Sequence, residues 1–150
     1  MYNKNKEGIK LKQMGSKFKG TRAERELFHM FWETGEWGVV RSAGSGSTPL
    51  PSPDLIAGNK ENLLAIECKS IKNDSKNFQK EEMDQLITFS DILNAQPIIA
   101  MRFDNLGWYF LNAKEIPKNK NGNYTVSLKL SQKQGIKFEE LINKYKQLKL

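Results

Sequence analysis

Cysteine and histidine are almost absent from this sequence of 150 residues, which contains one of each, Cys68 and His29. A single cysteine excludes an intrachain disulfide framework, and one cysteine with one histidine makes a zinc finger implausible. The chain also lacks any apolar run near the ~20 residues needed to span a bilayer, and no apolar segment of a secretory signal follows its basic N-terminus. We therefore expect a protein of the reducing cytoplasm that has no membrane partner.

Acidic residues are fewer than basic ones, and the imbalance is concentrated near the N-terminus. The chain has 24 Lys and Arg against 17 Asp and Glu, a formal net charge of +7. Residues 1–25 hold eight of these basic side chains and two glutamates, which leaves +1 for the other 125 residues. This distribution favours a polyanionic partner such as a nucleic acid. A solvated, disordered terminus is the alternative, and charge alone does not decide between the two.

The order of helical and strand patterns predicts one α/β domain built on a mixed sheet. A hydrophobic fraction of 38% over this length is sufficient for a single core. Residues 43–53 and 72–79 are expected to be loops. Apolar periodicity predicts, in order, a helix capped by Thr21 and running to about Thr34, strands at Trp37–Ser42, Asp54–Ala57 and Leu63–Ser70, a helix at Glu81–Leu93, strands at Pro97–Phe103, Trp108–Leu111 and Tyr124–Leu130, and a helix at Phe138–Leu148.

Two acidic residues and a lysine stand in positions that stability alone does not explain. Asp54 starts a short strand, and Glu67 and Lys69 lie on one face of the longest apolar strand. Charged side chains there cost several kcal/mol unless they are paired or bind a metal. Asp54, Glu67 and the Cys68 carbonyl are donors that suit Mg²⁺, and Lys69 would orient a water for phosphodiester hydrolysis. A buried Glu67–Lys69 ion pair is the alternative, because many unrelated proteins match this spacing by chance.

The sequence as a whole resembles the archaeal-type Holliday junction resolvases of the PD-(D/E)XK nuclease superfamily. The resemblance extends over about residues 18–113, where the family's motifs occur in the right order and spacing. Those motifs are the opening helix Lys19–Leu27, the strand and loop Val39–Gly46, the metal motif in Pro53–Ala57 and Ala65–Ser70, the second helix Gln85–Ser90, and the closing strands Pro97–Phe103 and Trp108–Phe110. Together these motifs are specific, whereas each of them alone is not.

The resemblance implies a restriction-endonuclease-like α/β core in which a central mixed sheet is flanked by helices. It divides the chain into a basic arm at residues 1–18, a nuclease domain at residues 19–113, and a C-terminal strand–helix extension at residues 114–150 that packs on the same domain. The resemblance offers no counterpart in the family for the arm or for the extension, so their roles are left open.

The resemblance also assigns roles to individual residues. Asp54 and Glu67 would ligate Mg²⁺, or Mn²⁺ in its place. Glu24 would be a further acidic member of the site, near the metal directly or through water, and Lys69 would be the catalytic lysine. The implied DNA contacts are Arg25 and Arg41 at phosphates, Ser42 near the scissile position, and Lys19 and Arg22 in the same basic segment.

The activity implied by the resemblance is the resolution of four-way DNA junctions by a homodimer, whose two active sites cut opposing strands. Phe89 matches an aromatic residue of the family's dimer interface, whereas Leu93 stands where relatives often carry another aromatic. One alternative is a nuclease of the same fold that cuts linear, nicked or flap DNA. Another is a DNA-binding module without catalysis, although the presence of Asp54, Glu67 and Lys69 argues against it.

Overall fold

The structure of the chain, a computed structural model, describes residues 20–42 and 50–146. The predicted arm at residues 1–18, Lys19, and residues 43–49 of the expected loop lie outside that part. The described elements are helix α1 at residues 20–33, β1 (Gly38–Arg41), β2 (Leu55–Gly58), β3 (Leu63–Ile71), β4 (Ser75–Phe78), α2 (Lys80–Leu93), β5 (Gln96–Phe103), β6 (Gly107–Asn112), a 3-10 turn (Ala113–Glu115), β7 (Tyr124–Ser127), α3 (Leu128–Gln134) and α4 (Phe138–Lys144).

Five of the strands form a mixed sheet in the order β1-β2-β3-β5-β6. Strands β3 and β5 are parallel, and the other neighbours are antiparallel. A parallel pair needs a crossover connection, which α2 supplies between β3 and β5. The arrangement confirms the predicted central mixed sheet with helices on its faces, and it puts the strand that carries Glu67 and Lys69 in the middle.

Both faces of this sheet are covered, which explains why β3 is apolar along nearly its whole length. On one face, Leu27 and Phe31 of α1 and Leu141 of α4 pack against buried residues such as Ile66. On the other face, Met83 and Leu86 of α2 pack in a second cluster that includes Ala65, Ile99 and Val126. Alternate residues of β3 therefore enter opposite cores, and a polar side chain on this strand has a buried environment on either face.

The structure corrects three of the predicted elements. Residues 72–79 are not a loop throughout, because β4 pairs with β7 in a second, two-stranded antiparallel sheet. The strand predicted at Tyr124–Leu130 ends at Ser127, whose hydroxyl accepts a hydrogen bond from the Leu130 N–H at 2.9 Å and so caps α3. The last helix ends at Lys144. The described residues after 113 thus form one strand and two α-helices, where one strand and one helix were expected.

The described part of the C-terminal region is joined to the rest of the fold at several points. Leu141 is 1% exposed in the core beneath α1. The side-chain amides of Asn59 and Asn62 donate to the Tyr145 carbonyl at 2.9 and 2.8 Å, which ties the β2–β3 turn to the end of α4. None of the helices in the described residues is long and apolar enough to cross a membrane.

Candidate active site

The register of the central sheet places Asp54 opposite Glu67. Strands β2 and β3 are antiparallel with Leu55 opposite Ile66, so the next position on β2 faces the next position on β3. The regular ladder ends there, and the Asp54 carboxylate accepts the Cys68 N–H at 2.9 Å in its place. The Ser42 N–H donates to the Asp54 carbonyl at 2.9 Å, which fixes the same residue from β1. Asp54 is therefore held on both sides where the strands begin to separate.

The two carboxylates repel each other in a partly desolvated environment. The Asp54 residue is 7% exposed. Burial, and then the negative charge of Asp54, raise the pKa of Glu67 to about 8. An ionised pair here needs positive charge nearby, and Lys69 supplies part of it with its Nζ 3.6 Å from Glu67 Oε1. The pattern of two acids and a lysine is thus assembled in space as the sequence predicted.

Lys69 has a second acidic neighbour that the sequence analysis missed. Its Nζ lies 3.7 Å from Oε1 of Glu82, in the first turn of α2, and 5.8 Å from the centre of the Phe78 ring. Burial alone would favour the neutral amine, but Glu67, Glu82 and Asp54 together raise the pKa of Lys69, so the ammonium persists. The Gln79 N–H donates to Glu82 Oε2 at 2.9 Å. The Q-x-x-E spacing of a capping box is the signal in the sequence that could have revealed Glu82.

Glu24 and Arg41 form a half-buried ion pair beside these groups. Arg41 Nε lies 2.7 Å from Glu24 Oε2, which joins α1 to β1. Burial raises the pKa of Glu24, the hydrogen bond from Arg41 opposes that shift, and the negative charge of Asp54 adds to it. The negative charge of Asp54 therefore acts on Glu24 as well as on Glu67. Arg41 therefore has a carboxylate partner within the chain, the side chain of Glu24.

The other predicted DNA-contacting residues lie on the surface near α1. Arg22 and Arg25 are exposed on the helix, whereas Ser42 is half-buried after β1. Arg22 lines a 220 Å³ cavity with Arg102, which pairs with Glu26 at 2.7 Å. Arg102 was not identified from the sequence. Lys19 lies outside the described residues.

The predicted dimer residues lie on α2, away from the acidic pair. Phe89 is half-buried and packs against the core cluster on that face of the sheet. Leu93 is 45% exposed and its neighbour Ile92 is 77% exposed. The end of α2 therefore presents an apolar surface to solvent.

The donor set of the site fits a hard divalent cation that has few protein ligands. Among the described residues, no group of three His, Cys, Asp or Glu side chains is arranged to hold a metal ion. Mg²⁺ is commonly bound by one or two carboxylates together with water and substrate phosphate, which is what Asp54 and Glu67 offer. The raised pKa of Glu67 fits the same requirement, because a bound cation would stabilise its ionised form.

Comparison with known proteins gives consistent matches in sequence and in structure. A family model described as "Archaeal holliday junction resolvase (hjc)" matches residues 15–150. The crossover junction endodeoxyribonuclease Hjc of Archaeoglobus fulgidus is 32% identical over 130 residues, with 83% of this chain and 95% of that protein covered. The protein of the same name from Methanocaldococcus jannaschii is 36% identical over 132 residues, with 88% and 92% covered.

The solved structure of Archaeoglobus fulgidus Hjc, a Holliday junction resolvase from an archaeal hyperthermophile, is similar with a TM-score of 0.74 and 30% identity. It covers 81% of this chain and 98% of that one, which confirms the expected restriction-endonuclease-like fold. The family match also extends past residue 113 to residue 150, so the C-terminal region does have a counterpart in the family. By its sequence and its fold, this chain belongs to the archaeal Holliday junction resolvase family.

Proposed function

We propose that the protein is a structure-selective, metal-dependent endonuclease that resolves four-way DNA junctions by paired symmetric nicks through phosphodiester hydrolysis. The observation that carries this proposal is the strand register that sets Asp54 opposite Glu67, with the Lys69 ammonium 3.6 Å from Glu67. Membership of the resolvase family supplies the substrate class. The shape and phosphate geometry of the junction, more than its base sequence, would give the selectivity.

Asp54 and Glu67 are the proposed ligands of the divalent ion. Mg²⁺ is the proposed cofactor and Mn²⁺ a substitute, with the Cys68 carbonyl as a further donor and Glu24 near the ion directly or through water. The ion would supply Lewis-acid stabilisation of the charge that develops on the phosphate. Lys69, which stays protonated beside its acidic neighbours, would orient the attacking water and stabilise negative charge.

Basic residues around the acidic pair are proposed to hold the scissile phosphate and its neighbours. Arg41 is bound to Glu24 through Nε, and its terminal N–H groups would contact phosphate. The remaining proposed contacts are Arg22 and Arg25 on α1, Ser42 after β1, and Lys19.

We also propose that the protein works as a homodimer through the apolar end of α2. The exposure of Ile92 and Leu93 supports this, and Phe89 lies on the same helix. Leu93→Lys should shift sedimentation from dimer to monomer and abolish paired nicking, since one junction needs two active sites. Asp84→Lys, an exposed position in the first half of α2, is the matched control. A wild-type protein that sediments as a monomer would exclude this part of the proposal.

The experiment that tests the main proposal compares a labelled immobile four-way junction with linear duplex, each with Mg²⁺ and with chelator. Paired symmetric nicks in the junction alone, lost with chelator, are the expected result. Efficient cutting of linear duplex would instead assign the protein to a general repair or restriction-type activity on the same fold. Tight junction binding without cleavage in either Mg²⁺ or Mn²⁺ would make the chain a binding module.

A further inference from the structure

Two parts of the chain carry opposite net charge. Residues 26–113, which include most of the active site, have twelve acidic and seven basic side chains, a net charge of −5. Residues 114–150 have nine lysines and three glutamates, a net charge of +6. The proposed substrate is a polyanion, so the body that holds the chemistry repels it overall. Basic surface outside residues 26–113 would therefore help to hold DNA against that body, and residues 114–150 offer it beside the basic N-terminal residues.

Within residues 114–146, which the structure describes, the lysines are, with one exception, not neutralised by acidic partners. In residues 26–113, ion pairs take up Arg41, Lys69, Lys80 and Arg102. Eight lysines after residue 113 belong to the described part of the chain, and among them Lys114 alone forms an ion pair, with Asp91. The positive charge of this region therefore remains available to a ligand.

Four of these lysines flank the small sheet formed by β4 and β7. Lys118 and Lys120 lie just before β7, and Lys129 and Lys133 lie just after it on α3. The latter two are four residues apart and both exposed, so they lie on the same face of the helix. The two pairs flank opposite ends of β7, with Lys118 Nζ 6.0 Å from the centre of the Tyr124 ring. A strand of four residues is roughly 13 Å long, which spans a few phosphate spacings of a DNA strand.

The face of the small sheet between these pairs is neutral and polar. Phe78 and Val126 are fully buried on the inner face, whereas Asn77 and Thr125 are register partners joined by a 2.8 Å side-chain hydrogen bond. We call the following set the ribbon surface: Ser75, Asn77, Thr125 and Ser127, with Lys118, Lys120, Lys129 and Lys133. Hydroxyl, amide and ammonium groups are typical of a surface that contacts phosphate and sugar and reads no bases.

The small sheet that carries the ribbon surface adjoins the active site. The ring of Phe78, on the inner face of β4, is 5.8 Å from Lys69 Nζ, and the ribbon surface is on the other face of the same two strands. The Lys80 N–H donates to the Asn123 side chain at 3.1 Å, which joins the loop before β7 to the start of α2, two residues from Glu82. DNA that reaches the acidic pair can therefore continue across the small sheet.

From this arrangement we infer that the ribbon surface binds the sugar–phosphate backbone of the junction arm that extends from the scissile strand. The inference rests on the proposed function and adds to it the surface that anchors the substrate. The binding is electrostatic and independent of base sequence, because each bound phosphate releases condensed counterions.

The test measures junction affinity over a series of KCl concentrations, in chelator so that no DNA is cut. The variants are Lys118→Gln with Lys120→Gln, and Lys129→Gln with Lys133→Gln. Each pair should weaken binding about tenfold and reduce the slope of log K against log salt by roughly 1–2, one for each lost phosphate contact. Linear duplex should show the same loss, since the backbone is what is bound.

The matched control is Lys144→Gln with Lys146→Gln. It removes the same amount of charge on the opposite face of the central sheet. These lysines lie on and just after α4, whose Leu141 packs in the core beneath α1. The control should keep the wild-type slope. Equal losses in all three pairs would show a general charge effect and overturn the inference. Wild-type slopes in both ribbon pairs would overturn it as well, while junction cleavage by the wild-type protein would still uphold the proposed function.

Discussion

The acidic pair and the ribbon surface use charge in opposite ways within a short distance of each other. At the acidic pair, Asp54 is buried and accepts the Cys68 N–H, Glu67 is half-buried, and the Lys69 ammonium lies 3.6 Å from Glu67 and 3.7 Å from Glu82. On the ribbon surface the lysines are exposed and, within the described residues, free of acidic partners. Buried and coupled charges suit a chemical step with strict geometry, whereas exposed charges suit reversible contact with a long polyanion.

Removing either carboxylate of the acidic pair should give the largest effect. Asp54→Asn and Glu67→Gln are each expected to lower junction cleavage by roughly 10³-fold or more, since a metal-stabilised phosphate is worth several kcal/mol. Junction binding should survive, because the amide oxygen that Asp54→Asn introduces can still accept the Cys68 N–H. Single-turnover cleavage and gel-shift binding measure the two properties separately. Glu61→Gln, an exposed acid in the β2–β3 turn, is the control, and cleavage that persists in both test variants would refute the metal-site assignment.

The C-terminal region should matter for stability as well as for charge. Leu141→Ala removes a fully buried side chain under α1 and should lower the free energy of unfolding by about 3 kcal/mol. Lys144→Ala on the same helix is exposed and should change it by less than ~0.5 kcal/mol. Urea unfolding followed by circular dichroism gives both values. A wild-type midpoint for Leu141→Ala would mean that α4 does not contribute to the core.

Loss of the Glu82 charge, which lies 3.7 Å from Lys69, should have an intermediate effect on cleavage. Glu82→Gln removes its charge, so Lys69 would pair with Glu67 alone and compete with the metal there. We expect a loss of about tenfold in cleavage rate at low Mg²⁺, as for other residues that orient metal ligands. Higher Mg²⁺ should restore part of the rate, while junction affinity stays near that of the wild type. Glu81→Gln, exposed in the same helical turn, should leave the Mg²⁺ titration unchanged. Coincident titrations of the two variants would exclude a positioning role for Glu82.

The burial of Glu67 and its repulsion by Asp54, which together raise its pKa, should appear as a dependence of stability on pH. The pKa of Glu67 is raised to about 8 in the folded chain, above its ordinary value of 4.5. The folded state therefore binds this proton more tightly, and the stabilisation it gives is complete below pH 4.5 and lost as the pH rises towards 8. The melting temperature measured in chelator should fall over that pH range, and it should fall less steeply in Glu67→Gln. Mg²⁺ should raise the melting temperature at pH 8 but hardly at pH 5, and an equal effect at both would contradict this assignment.

The elements with strong local signals were predictable from the sequence. The predicted strands at β3 and β6 and the predicted helix at α2 all agree with the structure in type and approximate position. Strand β4 was missed because its sequence is polar and only Phe78 is fully buried, so its conformation depends on pairing with β7, about 50 residues further along the chain. The start of α3 was missed because the apolar alternation of β7 continues to Leu130, past the cap at Ser127.

The candidate site also has features that the local sequence predicts and features that depend on tertiary contacts. Asp54, Glu67 and Lys69 could be chosen from the sequence because charged residues in an apolar strand are costly, and local alternation puts Glu67 and Lys69 on one face. That Asp54 stands opposite Glu67 follows from the strand register, which depends on contacts between separate segments. The approach of Glu82 to Lys69 depends on the packing of α2 against the sheet.

By itself the sequence determined the α/β class, the central strand, the acidic pair with its lysine, and the family. These features depend on local composition and on the spacing of residues along the chain. The periodicity of helices and the alternation of side chains in strands relate that spacing directly to structure. Only the tertiary structure decided the raised pKa of Glu67, the role of Glu82 and the assembly of the ribbon surface. Each of these three features depends on burial and on short distances between residues that are remote in sequence. Burial and those distances are established only when the sheet and its helices pack together.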